Sequence, residues 1–153
     1  MTKVFACDVP SSSLLAGFGG PENYRDCFAR DVPSAVSLSN FIEAFYTSAV
    51  FRPERLALGL IRRGANNADA AKLARGKAAN FATWDVIERT ETEILLRDFQ
   101  GATASWLCAQ PDGDGSTRLL FGSWLREPDR TIVRALIPFH VWYSRVLLGG
   151  VSI

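Results

Sequence analysis

The spacing of apolar residues changes character along this chain, and the expected structure changes with it. Residues 1–20 carry turn chemistry, Ser11-Ser12-Ser13 and Gly17-Phe18-Gly19-Gly20-Pro21, without a sustained period, and are expected to be irregular. Tyr24 to Val32 alternates as a first strand, which Pro33 ends. Leu38, Phe41, Ile42 and Phe45 then form a stripe at three- and four-residue spacing. This predicts a helix capped by Ser37 or Ser39 and running to about Val50. Pro53 suits the first turn of a second helix carrying Leu56, Leu60 and Ile61, and Ala-rich Asn67 to Arg75 reads as a third.

From Phe81 onward the period falls to two. Phe81–Arg89 and Glu93–Gln100 read as strands, and Ala102, Ala104, Trp106 and Cys108 share one face of the next. Asp112-Gly113-Asp114-Gly115 signals a hairpin into Ser116–Arg126. Asp129 is placed to cap a long last helix, Arg130 to Leu148, which Gly149-Gly150 ends. At 100° per residue, Ile132, Leu136, Phe139, Tyr143 and Leu147 project to one side, with His140 at its edge. Arg134, Pro138, Val141 and Arg145 project to the other. The expected fold is α+β, about five antiparallel strands with two or three helices inserted after the first and one long helix at the end.

Composition bounds the class. The chain has 153 residues, 48% hydrophobic, 22% charged and 11% aromatic, which suits one globular domain over 1–153. A net charge of +1 lacks the electrostatic footprint of a nucleic-acid binder. No stretch approaches ~20 uninterrupted apolar residues, so no membrane span is expected. Cys7, Cys27 and Cys108 are an odd set without C-x-x-C spacing. They match neither a disulfide framework nor a zinc site, and they read as reduced thiols of a cytoplasmic protein. Val4-Phe5-Ala6-Cys7 has the look of a lipoprotein cleavage box, but no apolar segment precedes it. The local charge is uneven, with residues 52–80 at +5 between flanks of −2 each. Arg52, Arg55, Arg62 and Arg63 recur at helical spacing, as a solvated helix face does.

The C-terminal Ile137-Pro138-Phe139-His140, followed by Tyr143-Ser144-Arg145 and Leu147-Leu148, resembles the last helix of an uncharacterised bacterial branch of the START-like (SRPBCC) superfamily. Tyr24-Arg25-Asp26 and Leu96-Arg97-Asp98 are similar to the same branch, and the likeness extends over about residues 20–150. The resemblance implies a helix-grip fold, in which a curved antiparallel sheet wraps a C-terminal helix. It also implies a cavity between them that holds an apolar ligand. Where that branch carries a second histidine after the Asp98 position, this chain has Phe99-Gln100-Gly101.

His140 is the only histidine, which excludes a histidine metal cluster. Histidine is the residue type whose unperturbed pKa lies near neutrality, which suits a general base or a hydrogen-bond donor on a pocket wall. Asp26 and Asp98 are the carboxylates within strand-like runs, and either could orient that ring as a carboxylate fixes a tautomer. Trp84, Trp106 and Trp124 fall in three predicted strands, with Phe99, Phe121, Phe139 and Tyr143 nearby. Such rings either line a small-molecule site or fill the core.

Gly17 to Pro21 lacks dinucleotide-binding spacing, Asp112 to Gly115 lacks the later EF-hand ligands, and no nucleophile elbow, Walker A or H-E-x-x-H is present. No metal or cofactor is expected. The leading expectation is a binder of a small, mostly apolar molecule. The alternatives are a cyclase- or hydrolase-type enzyme using His140 with a carboxylate, or a homodimeric interaction module.

Overall fold

The computed structural model describes residues 3–48, 67–81, 84–98, 101–126 and 131–153, with side chains from residue 137 onward in the last segment. Seven strands form one curved antiparallel sheet. They are β1 (Phe5–Ala6), β2 (Tyr24–Val32), β3 (Asn80–Phe81), β4 (Trp84–Arg89), β5 (Glu93–Asp98), β6 (Thr103–Pro111) and β7 (Thr117–Leu125). The spatial order is β1-β2-β7-β6-β5-β4-β3. Three helices are found among the described residues: α1 (Leu38–Tyr46), α2 (Asn67–Ala74) and α3 (Thr131–Gly149). The two extra strands, β1 and β3, are two residues long, too short to display a period. The second predicted helix, with Arg62 and Arg63, lies outside the described residues.

Local chemistry sets the element ends. The Ser37 hydroxyl accepts from the Asn40 amide at 3.1 Å and caps α1. The apolar stripe of α1, Leu38, Phe41, Ile42, Phe45 and Tyr46, is buried as its spacing requires. The β6–β7 hairpin turns over Asp112–Gly115, where Gly115 takes a φ of +86°. At the far end of the chain, the Arg30 guanidinium donates to the Leu148 and Val151 carbonyls at 3.3 and 2.6 Å, tying the end of α3 to β2.

Both faces of the sheet are covered. On one, Phe28, Val32, Ile94, Leu96, Leu107, Leu119 and Phe121 pack under the helices. On the other, Cys27, Ala29, Leu95, Trp106, Cys108, Leu120 and Trp124 pack under the N-terminal segment, which contributes Leu15, Phe5, Val9, Leu14 and Phe18. Residues 3–20 are therefore a strap across the back of the sheet. Its close approach has a cost in side-chain space. A Cβ on Gly122 of β7 would stand 2.5 Å from Leu15 Cδ2 and 2.9 Å from the Asp26 carbonyl oxygen. Two side chains hold the strap down. The Arg25 guanidinium donates to the Leu15, Gly20, Asn23 and Phe18 carbonyls, and Glu93 accepts from the Leu14 amide and the Trp106 indole at 2.9 and 2.7 Å.

Helix α3 buries part of the stripe that its sequence wheel indicates, Tyr143 and Leu147, and departs from it at Phe139 and Val141. Leu147, Leu148 and Ser144 are buried, and Val141 and Tyr143 pack partly against the core. Phe139 and Trp142 are 61% and 57% exposed. The wheel puts Phe139 inside and Val141 outside, and both placements are corrected. The side chains of Ile132, Arg134 and Leu136 lie outside the described residues. Arg145 reaches solvent as expected, its guanidinium 5.2 Å from the centre of the Phe28 ring.

Candidate functional site

The sheet's registers line up rows of side chains on the helix-facing surface. Phe28 stands beside Phe121, then Leu107, then Ile94, an apolar row across β2, β7, β6 and β5. Two residues along, the next row is Asp26, Ser123, Ser105 and Leu96. The next again is Tyr24, Leu125 and Thr103. An apolar floor thus gives way to a polar shelf. Over that shelf passes α3, which presents His140 and, one turn later, Ser144 and Tyr143.

A cavity of about 150 Å³ remains between sheet and helix, open on one side. Trp84, Phe45, Phe121, Leu125 and Tyr143 supply its apolar wall, and Thr103, Ser105, Ser123, Ser144 and His140 its polar groups. At this volume an apolar protein cavity accepts a molecule about the size of benzene.

Asp26 anchors the polar end. Its carboxylate accepts from the Tyr24 hydroxyl at 3.0 Å and from the Ser123 amide at 3.1 Å. His140 Nε2 lies 3.1 Å from Asp26 Oδ2, close enough for an ion pair but outside hydrogen-bonding geometry. The carboxylate is 10% exposed and the imidazole 30%. Burial, then the adjacent Asp26 charge, pushes the Tyr24 phenol well above its ordinary range, so it remains a donor to Asp26. This end of the cavity offers serine and threonine hydroxyls and an imidazole with the Asp26 carboxylate behind it.

The sequence candidates divide accordingly. Trp84, Phe121, His140 and Tyr143 line the cavity, and Asp26 joins it through His140. Trp124 borders it from its strand, while its indole packs the other way, edge-on to Phe18 with centroids 4.8 Å apart. Trp106 is fully buried on the strap side, so the expectation that it shares a wall with α3 is corrected. Phe139 faces solvent and stacks on Tyr143 with ring planes 4° apart. Asp98 is occupied in closing the β5–β6 turn, accepting from the Ala102 and Thr103 amides and the Thr103 hydroxyl. Phe99 lies outside the described residues.

Sequence reading missed Tyr24, Ser105, Ser123 and Ser144. Their signal was available in part: Ser144 follows His140 by one helical turn, and Ser123 interrupts an apolar strand.

Among the described residues, no group of three or more histidine, cysteine, aspartate or glutamate side chains could hold a metal ion, and no helix is long and apolar enough to cross a membrane. No protein-family model, curated protein or solved structure matches this chain.

Proposed function

We propose that this protein binds a small, mostly apolar molecule carrying one hydrogen-bond donor, in the cavity between the sheet and α3. The observation that carries the reading is the cavity's division into an apolar wall and a polar side of Thr103, Ser105, Ser123, Ser144 and His140, the last backed by Asp26. Apolar walls supply affinity, and a few placed polar groups fix orientation. The START-like resemblance supports the same reading, since a helix-grip cavity lies between sheet and last helix. Titration with phenol and toluene, followed by calorimetry and amide chemical shifts, tests it. Phenol is expected to bind in the millimolar range or tighter, about −4 kcal/mol. Toluene should bind more weakly, because it gives the polar side of the cavity no hydrogen bond. Asp26→Asn should erase the preference, and Ser144→Leu should block both ligands while the domain still melts cooperatively. Absence of binding by either probe up to its solubility would sink the proposal.

A second reading rests on the same pair. His140 backed by Asp26 has the make-up of a carboxylate-supported general base acting on the bound molecule. Hydrolysis of a small aryl ester that is lost in His140→Gln would favour it. Equal rates in the two proteins would remove it.

A further inference from the structure

The strap and the sheet bring together two thiols that are far apart in sequence. In β1, Phe5 stands opposite Ala29 and Ala6 opposite Phe28. The next step of that register sets Cys7 opposite Cys27, and the Cys7 amide donates to the Cys27 carbonyl at 3.0 Å. Residues facing each other across such a pair have Cα atoms about 5.5 Å apart, inside the ~4.4–6.8 Å span of disulfides. Both side chains point to the same face of the sheet, and the sulfurs are already 3.3 Å apart.

We propose that Cys7 and Cys27 are a reversible disulfide site, closed by exchange with a low-molecular-weight disulfide and serving to pin the N-terminal strap to the sheet. Cys7 is partly exposed and meets the reagent first, whereas Cys27 is 2% exposed. The Cys7 thiolate attacks one sulfur of the external disulfide and releases one small thiolate, leaving a mixed disulfide. The Cys27 thiolate then attacks Cys7 Sγ and expels the second. Two S–H bonds are lost and one S–S bond forms; both protons go to the two small thiols, and excess thiol reverses the sequence. Burial, then the neighbouring Cys7, pushes the Cys27 thiol upward, so closure accelerates with rising pH. Cys108 is a bystander. It stands on β6, separated from β2 by β7, and burial followed by the Glu93 charge pushes it up to about 12.

The test is oxidation of the folded, full-length protein with glutathione disulfide, followed by alkylation and tryptic mass mapping without reduction. Peptides 4–25 and 26–30 are expected as one linked species, two hydrogens lighter than their sum, while peptide 98–118 retains a free cysteine. Dithiothreitol should separate them. The oxidised protein should melt at a higher temperature than the reduced one, a difference absent from Cys7→Ser and present in Cys108→Ser. A persistent glutathione adduct on Cys7, a link between two chains, or alkylation of Cys7 without any oxidation would each overturn the proposal. Cys7 is partly exposed, so Cys7→Ser should fold; if it does not, Cys7→Ala serves the same comparison.

Discussion

Asp26 shows how much one side chain can organise. It has three partners from two strands and a helix, and its carboxylate is only 10% exposed. Asp26→Asn replaces one of the two acceptor oxygens with a donor, which then faces either the Ser123 N–H or the Tyr24 O–H. A loss of about 1–3 kcal/mol in urea denaturation is expected, the cost of leaving buried polar groups unpaired. The surface pair Arg118–Asp31 behaves differently. Its 2.7 Å contact is nearly half-exposed on both sides, and the Arg118 hydrogen bond lowers the Asp31 carboxyl. The stabilisation is therefore complete above the ordinary value of 3.8 and disappears as pH falls through the lower folded value. Screening limits it to less than about 1 kcal/mol. Arg118→Gln should lower the melting temperature slightly at neutral pH and leave it unchanged in strong acid. At this scale Asp26 and His140 could be found from their types and placement, but Asp98 was indistinguishable from them. Only its turn partners show it to be committed elsewhere.

Among the elements, α3 carries the instructive mismatch. It is apolar on more than one side, with Phe139 and Trp142 as large as anything it buries. A helical wheel then leaves its rotation underdetermined. The tie from Arg30 to the Leu148 carbonyl and to that of Val151 just past the helix, and the fit of Leu147 and Leu148 into the core, select the rotation that aims His140 and Ser144 at the sheet. Leu147→Ala should cost about 2–5 kcal/mol, as a buried leucine does. Trp142→Ala, on the exposed side, should stay within about 0.5 kcal/mol. Thermal melts of the two variants separate the faces directly, and equal losses would contradict the rotation described.

For the molecule as a whole, the decisive feature is a sheet buried on both sides. In β7, burial runs without alternation from Leu119 to Trp124, because helices cover one face and the strap the other. The strap is therefore part of the core and no mere leader to it. Removing residues 1–20 should expose Trp106, Leu95, Leu120 and Trp124 together, produce strong binding of an amphiphilic dye and abolish a cooperative melt. A truncated chain that melts like the whole one would show the back of the sheet to be stable uncovered.

Much of this was determined by the sequence alone, since its causes are local. The cap and stripe of α1, the bounds of β2, the turn over Asp112–Gly115 and the α+β order all follow from propensity, period and turn chemistry. Sharing of faces was equally legible: Ala104, Trp106 and Cys108 do lie on one side of β6. Which side that is was decided only in three dimensions, because a period of two is the same whichever face is called the inside. The aromatic residues show the consequence. Trp84 reached the cavity, Trp106 went to the back of the sheet, and Phe139 went to solvent. The meeting of Asp26 with His140 and of Cys7 with Cys27 is likewise a product of register and packing between distant segments, which no local spacing encodes.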